Sequence, residues 1–189
     1  MTIGIHFMKK RFLLLWLIAS VLLPCAGSSE NHVTLKEADL LIFQKIAQGI
    51  RNASSFSLYE GLPHQTREQD LLKQELAEKK VIRLRGFPFY ERPLAISPDD
   101  SRILRELACD AGSFKSYSGP KRCGGFHPDY ALAWKDGDAA YHLLVCFGCH
   151  EMKLYSPTDE LYVDIQRNAF SRFESLLKKY RSQRPKGKV

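Results

Sequence analysis

The side chains best suited to chemistry are concentrated between residues 123 and 150. Cys123, Cys146 and Cys149 supply sulfur there, and His127 and His150 supply imidazole nitrogen. Sulfur and imidazole groups can form disulfides, bind zinc or attach haem. Three chemistries therefore compete for one set of residues, and the sequence leaves all three open.

A disulfide clip is the first interpretation. Cys109, Cys123, Cys146 and Cys149 allow three pairings. They include Cys146–Cys149, or Cys123–Cys149 with a further disulfide at Cys109. A disulfide typically stabilises a fold by about 2–4 kcal/mol, so such a clip would support a small domain without taking part in catalysis.

A metal site is the second interpretation. The three cysteines of the cluster, with either His127 or His150, would form a Cys₃His tetrahedron suited to zinc. Gly148 would let the backbone turn tightly between two ligands. A catalytic zinc would keep one position for water, with Glu151 or Asp129 as the base. This version predicts a zinc-dependent hydrolase, although no second carboxylate or histidine motif of recognisable spacing accompanies it.

Covalent haem is the third interpretation, because residues 146–150 match the C-x-x-C-H pattern. Cys146 and Cys149 would hold the porphyrin and His150 would ligate the iron, as in a mono-haem c-type cytochrome that transfers electrons. Small c-type cytochromes usually carry this motif early on a helix, whereas here it follows a predicted strand. A dithiol redox centre at the same two cysteines would also lack the helix N-terminus that lowers a thiol pKa.

A predicted β-hairpin brings these groups together. Apolar and small residues alternate over 130–134 and again over 141–145, and Asp136-Gly137 between them is a turn signal. If those two residues form the loop, the numbers of cross-strand partners sum to 273. The predicted pairs are Trp134 with Ala139, His127 with Cys146, and Cys123 with His150. The cysteines and histidines then meet at one end of the hairpin.

The rest of the chain predicts the elements around this hairpin. Capping signals at Thr34, Thr66 and Ser97 begin three helices, and residues 170–180 form a fourth. Strand patterns cover residues 54–62, 81–84, 152–155 and 161–165, and residues 86–90 form an aromatic loop. We therefore expect an α+β fold, a mostly antiparallel sheet with a central β-hairpin (about 130–147) and helices packed on one face.

The N-terminal segment, residues 1–28, has the three parts of a signal peptide. Lys9 to Arg11 are basic, Phe12 to Leu23 are apolar, and small residues follow. The apolar run is shorter than the about 20 residues that a membrane-spanning helix needs. Met8 is the expected true start. We favour ordinary cleavage over lipid attachment at Cys25, and we expect a periplasmic or extracellular protein.

Composition and charge indicate one globular domain over residues 29–181, since 44% of residues are hydrophobic and 26% are charged. Three of the 28 basic residues lie in the N-terminal segment and six lie in residues 178–189. Residues 29–177 therefore carry 19 basic and 21 acidic residues, which does not favour nucleic-acid binding. Residues 182–189 are expected to be a disordered basic tail, in weak contact with an anionic envelope surface.

Three segments carry a resemblance to a known family: Leu58–His64, Cys123–Tyr130 and Cys146–Glu151. From Phe56 to Tyr180 the chain resembles a group of uncharacterised exported bacterial proteins. The resemblance implies no activity. The group is associated with a variable residue after the second cysteine, which weakens the haem interpretation.

The leading function hypothesis is a small exported domain that binds a partner or associates with the envelope and is not an enzyme. Its Cys/His cluster would act as a disulfide or metal clip. The c-type cytochrome and the zinc-dependent hydrolase are the alternatives.

Overall fold

A computed structural model of the protein describes Met1, residues 34–122 and residues 124–185. The predicted signal peptide, the start at Met8, the choice between cleavage and lipidation at Cys25, and Cys123 itself lie outside the described residues. From residue 34 onward the described residues belong to one compact unit. Among them, no helix combines the length and apolar character needed to cross a membrane.

The described residues form eight strands and four helices. The strands are β1 (Ser55–Glu60), β2 (Val81–Leu84), β3 (Phe87–Tyr90), β4 (Phe114–Ser116), β5 (Tyr130–Asp136), β6 (Ala139–Cys146), β7 (Glu151–Tyr155) and β8 (Glu160–Ile165). The helices are α1 (Glu37–Asn52), α2 (Gln69–Glu78), α3 (Pro98–Ala108) and α4 (Arg167–Lys178). Six strands form one antiparallel sheet in the order β1-β5-β6-β7-β8-β4, and β2 and β3 form a second sheet. The predicted α+β class and antiparallel sheet are confirmed.

The β5–β6 hairpin forms as predicted, but its register differs. Trp134 pairs with Tyr141 instead of Ala139, so partner numbers sum to 275. The two loop residues are Gly137 and Asp138, and Gly137 adopts a φ of 55°. Glycine at the first loop position is typical of a type II′ turn, whereas the prediction assumed an Asp-Gly loop. The partner of each residue is therefore shifted by two positions, and because side chains alternate along a strand with a period of two, residues predicted to share a face still share it.

Helices α1, α3 and α4 pack on one face of the large sheet. Alternate strand residues such as Trp134 and Leu143 are fully buried there, together with Ile46 of α1, Leu104 of α3 and Phe173 of α4. This alternation places the hydrophobic core between the sheet and these helices. The predicted packing of helices on one face is confirmed.

The small β2–β3 sheet covers the opposite face of the large sheet. Phe89 packs there against Ala131, Leu144 and Tyr155. The prediction of a loop over residues 86–90 is wrong, because β2 and β3 form a hairpin closed by Arg85 and Gly86, both with positive φ. Gly86 adopts its positive φ without the steric cost that a side chain would add.

Helix starts were predicted well where the cap is local. The Ser97 hydroxyl accepts the Asp100 N–H at 3.1 Å, and Pro98 follows it as expected. The predicted cap at Thr34 is wrong, because α1 begins at Glu37 and the Lys36 N–H donates to the Ser116 hydroxyl at 2.8 Å. That tertiary contact satisfies an N-terminal donor in place of a local cap.

The predicted cap at Thr66 is also wrong. Helix α2 begins at Gln69, and the Thr66 hydroxyl lies 2.9 Å from His64 Nδ1. The loop before α2 is therefore organised around a histidine ring.

Residues 181–185, the C-terminal strap, lie on the body of the protein. The backbone N–H groups of Ser182, Gln183 and Arg184 all donate to the Glu60 carboxylate. The prediction of a disordered tail from residue 182 is therefore wrong as far as residue 185. Residues 186–189 lie outside the described residues.

The contact between β1 and the segment before β5 requires glycine at position 61. A Cβ atom on Gly61 would lie 2.1 Å from the Pro128 carbonyl oxygen, which is backbone and cannot rotate away. We expect Gly61→Ala to lower the free energy of unfolding by about 2–3 kcal/mol through overpacking. Urea denaturation measures the effect.

Gly148→Ala is the matched control, since a Cβ atom there would meet nothing within 4 Å. It should change the free energy of unfolding by less than about 1 kcal/mol. Equal effects for the two variants would contradict the close approach at Gly61.

Candidate functional site at the cysteine and histidine end of the hairpin

A tight turn between β6 and β7 positions the C-x-x-C-H segment. The Asp129 carboxylate accepts the Phe147 N–H at 2.8 Å, and the Asp129 N–H donates to the Val145 carbonyl at 2.7 Å. His150 closes the turn with a φ of 56°, a left-handed conformation that costs energy for a residue with a side chain. The segment therefore forms a strand–turn–strand corner and contains no helix.

The cysteines of the described residues differ in environment and state. Cys146 is 2% exposed and Cys149 is 5% exposed, and both pack against Phe126. Cys149 is disulfide-bonded, whereas Cys109 and Cys146 are free thiols. A Cys146–Cys149 bridge is therefore not formed here.

Cys109 lies away from this cluster. It caps the C-terminus of α3, and its thiol donates to the Ala47 carbonyl at 3.5 Å. The further disulfide predicted at Cys109 is not formed, because the thiol is packed against α1 and is hydrogen-bonded there. Burial raises the pKa of the Cys109 thiol.

The Cys146 thiol is held by the backbone. Burial raises its pKa, and hydrogen bonds from the His127 and Cys149 backbone N–H groups oppose that rise without overcoming it. Cys146 is thus protonated at neutral pH, and the thiol form is a weak nucleophile.

His127 is the most perturbed titratable group near the cysteines. It is 9% exposed, and its Nε2 atom is buried without a hydrogen-bond partner. Burial lowers its pKa from 6.5 to about 4, and a hydrogen bond to the Leu62 backbone opposes this effect. Because Nε2 has no partner, that hydrogen bond uses Nδ1–H, which leaves the Nε2 lone pair available.

His64 faces His127, with ring centroids 4.6 Å apart. Its Nδ1 accepts the N–H groups of Thr66 at 3.1 Å and Arg67 at 3.3 Å, so the ring proton lies on Nε2. Burial lowers the pKa of His64, and Arg67 lowers it further. The two neighbouring rings are therefore both neutral at pH 7. Nε2 of His64 carries a proton and can donate a hydrogen bond, whereas Nε2 of His127 carries a lone pair and can accept one.

A pocket of about 350 Å³ lies beside these rings. Its walls are formed by His64, Arg67, Glu68, His127, Asp129, Cys146, Gly148, Cys149 and Arg184. Arg184 of the C-terminal strap contacts Asp129 at 3.1 Å and also contacts Glu68. A pocket lined by fixed charges and two neutral imidazoles suits a polar ligand.

Glu151, predicted as a catalytic base, lies outside this pocket. It is buried on β7, opposite Asp164 of β8, and accepts the Tyr162 hydroxyl. Lys121 lies 3.1 Å from Asp164 and 3.7 Å from Glu151, so one ammonium group stabilises both carboxylates. Two like charges directly opposite each other would otherwise destabilise the sheet.

Within residues 34–122 and 124–185, no group of three or more His, Cys, Asp and Glu side chains is arranged to hold a metal ion. The predicted Cys₃His set needs Cys123, which lies outside this part of the chain. His150, the other predicted histidine ligand, stacks on Phe170 of α4 at 3.8 Å. The structure thus places His127, Cys146 and Cys149 at one pocket and directs His150 elsewhere.

The residues of the C-x-x-C-H motif do not fit covalent haem. Thioether attachment consumes both cysteine sulfurs, but Cys149 is disulfide-bonded. The His150 ring packs on α4, whereas the two cysteines pack on Phe126. The imidazole and the two sulfurs therefore pack against different parts of the fold.

Sequence reasoning missed Glu60, Glu68 and Arg184 as site residues. Arg184 is separated from Asp129 by 55 positions and from Glu68 by 116 positions. No local spacing signals such contacts. The one available indication was the surplus of basic residues at the C-terminus, which was interpreted as a solvated tail.

The chain was compared with models of protein families, with curated proteins and with solved structures, and none of these comparisons found a match.

The buried His127 predicts an acid-sensitive fold. Between pH 6.5 and about 4 the unfolded chain binds a proton at this ring that the folded protein does not bind. Stability is therefore complete above pH 6.5 and falls as the pH falls. His142, whose pKa burial also lowers to about 4, contributes in the same direction.

Between pH 7 and pH 5 the free energy of unfolding should fall in both proteins. We expect the fall to be about 2 kcal/mol smaller in His127→Gln than in the wild type. Urea denaturation at the two pH values gives the difference. An identical pH dependence in the variant would show that His127 does not titrate as a buried neutral ring.

Proposed function

We propose that the protein is an exported binding domain, not an enzyme, and that a disulfide at Cys149 clips together its Cys/His end. The observation that carries this proposal is the division of oxidation states, with Cys149 disulfide-bonded and the adjacent Cys146 a buried free thiol. Disulfides persist in oxidising compartments, which agrees with the signal peptide expected from the sequence. Membership of the exported bacterial family that the chain resembles is part of the same proposal.

Cys123 is the proposed partner of Cys149. Cys109 and Cys146 are free thiols, so Cys25 and Cys123 are the candidates that remain, and Cys25 falls in the expected signal peptide. The Cys149 sulfur lies 3.6 Å from the Gly125 carbonyl oxygen, two residues along the chain from Cys123. Such a bridge would fix the segment before β5 to the β6–β7 turn.

A binding role is favoured over catalysis by how the polar groups of the pocket are used. Asp129 and Glu68 are both paired with Arg184, and the Cys146 thiol has a raised pKa. A catalytic nucleophile needs a lowered pKa or a base within hydrogen-bonding distance, and His127 Nε2 makes no hydrogen bond to the Cys146 thiol or to any other group. Preorganised charges of both signs instead favour selective recognition of a polar partner.

A Cys/His zinc clip is the second candidate, and His127 favours it. A metal-ligating histidine commonly donates one ring N–H to a carbonyl and presents the other nitrogen to the metal. His127 has this arrangement, with Nδ1 bonded to Leu62 and Nε2 buried without a partner. The ligand set would be His127 with Cys123, Cys146 and Cys149, all cysteines then being thiolates.

Reductant should destabilise the exported protein if the disulfide proposal is correct. Removing one bridge across the loop between Cys123 and Cys149 should lower the free energy of unfolding by about 3 kcal/mol. The unreduced protein should also have an intact mass two hydrogens below that of the reduced chain. Thermal denaturation with and without reductant, together with mass spectrometry, checks both expectations.

Cys149→Ser should abolish the sensitivity to reductant, whereas the matched control Cys109→Ser should retain it. A melting temperature that falls with chelator and ignores reductant would reject the disulfide clip in favour of zinc. A covalent haem increment that survives denaturation would reject both.

A further inference from the structure

The C-terminal strap occupies a groove that recognises a peptide backbone. Glu60, at the end of β1, is 1% exposed, and its carboxylate accepts the N–H groups of Ser182 at 3.0 Å, Gln183 at 2.7 Å and Arg184 at 3.2 Å. These contacts use the main chain and would form with any segment of the same conformation. Burying this carboxylate without such donors would be costly.

The groove also contains a site for one arginine side chain. Arg184 Nη1 donates to Asp129 Oδ1 at 3.1 Å, and Nη2 donates to Glu68 Oε2. The two carboxylates come from segments far apart in the chain and converge on the two ends of one guanidinium group, whose side chain is 13% exposed. A planar fork of donors fits this arrangement, whereas the single ammonium group of lysine does not.

The strap fills its groove incompletely. A cavity of about 300 Å³ next to Tyr130 and Phe147 is bordered by Arg181 and Arg184, and Arg184 also borders the 350 Å³ pocket. A further cavity of about 380 Å³ is bordered by Ser182 and Gln183. Unfilled space therefore adjoins the strap at several of its residues.

Polar contacts hold the strap. Besides the Glu60 and guanidinium contacts, the Gln183 side chain donates to the Arg92 carbonyl at 3.0 Å, and within the strap Arg181 donates to the Pro185 carbonyl at 3.1 Å. None of these residues belongs to a hydrophobic core cluster. Another chain could therefore supply the same donors in place of the strap.

We propose that this groove is a binding site for an extended, arginine-bearing peptide segment of a partner protein, and that the C-terminal strap is its intramolecular occupant. The partner places its arginine between Glu68 and Asp129 and its backbone N–H groups on Glu60, and the strap is displaced. This inference rests on the proposed binding function and names the class of partner. It does not depend on the Cys149 disulfide, which the mass measurement tests separately.

The test uses the full chain and a labelled peptide, Arg-Ser-Gln-Arg-Pro, which has the sequence of the strap. Arg184→Gln weakens the strap but leaves the groove residues intact. Fluorescence anisotropy should show that this variant binds the peptide at least about tenfold more tightly than the wild type, because hydrogen bonds to charged groups are the strong ones. Adding Glu68→Gln to the variant should abolish the gain.

Two controls isolate the arginine site. A peptide with lysine in place of its second arginine should bind the Arg184→Gln protein more weakly than the original peptide does. The protein variant Arg102→Gln removes an arginine that pairs with Glu106 on the exposed side of α3, and it should bind the peptide no better than the wild type.

The wild type provides a second measurement that does not depend on a variant folding. Excess peptide should accelerate hydrogen exchange at the Ser182, Gln183 and Arg184 amides, because displacement breaks their bonds to Glu60. Unchanged exchange in the wild type overturns the proposal. So does the absence of a gain in an Arg184→Gln protein that is folded, whatever the state of Cys149.

Discussion

The Asp129 carboxylate connects three segments that otherwise have no reason to meet. It accepts the Phe147 N–H of the β6–β7 turn and the Arg184 guanidinium of the C-terminal strap, while its own N–H donates to Val145. Hydrogen bonds to a charged group are roughly twice as strong as neutral ones. This side chain therefore fixes the turn that carries the cysteines. It also forms part of the pocket wall and holds Arg184 of the strap.

Charge burial follows the same logic elsewhere in the molecule. Glu60 is satisfied by three backbone N–H groups of the strap, and Asp164 is satisfied by Ser118 and Lys121. Each buried carboxylate has partners contributed by a distant segment, so its desolvation cost is offset only in the folded state. Such networks disfavour alternative packings, and they hold the polar groups of the cleft in fixed orientations.

Local signals explain which predictions succeeded. Ser97 and Pro98 act on the helix that they begin, so the sequence predicted their roles. The N–H group of Lys36 at the start of α1 instead donates to Ser116, 80 residues away. The hairpin illustrates an intermediate case. Residues 136–138 predict a tight turn, but they are compatible both with an Asp-Gly loop and with the Gly-Asp loop that forms. Both registers keep the same faces, so the meeting of His127 with Cys146 and Cys149 was predictable although the cross-strand partners were not.

The sequence alone was sufficient for the α+β class, the four helices, most of the strands, and the meeting of His127, Cys146 and Cys149 at one end of a hairpin. Periodicity, turns and caps act over a few residues, and a single chain displays them directly. The low pKa of His127, the free thiol of Cys146 and the arginine site formed by Glu68 and Asp129 depended on the tertiary structure. Those properties arise from exclusion of water and from charges that approach within hydrogen-bonding distance. Both depend on which distant surfaces pack together, and no spacing in the sequence records that.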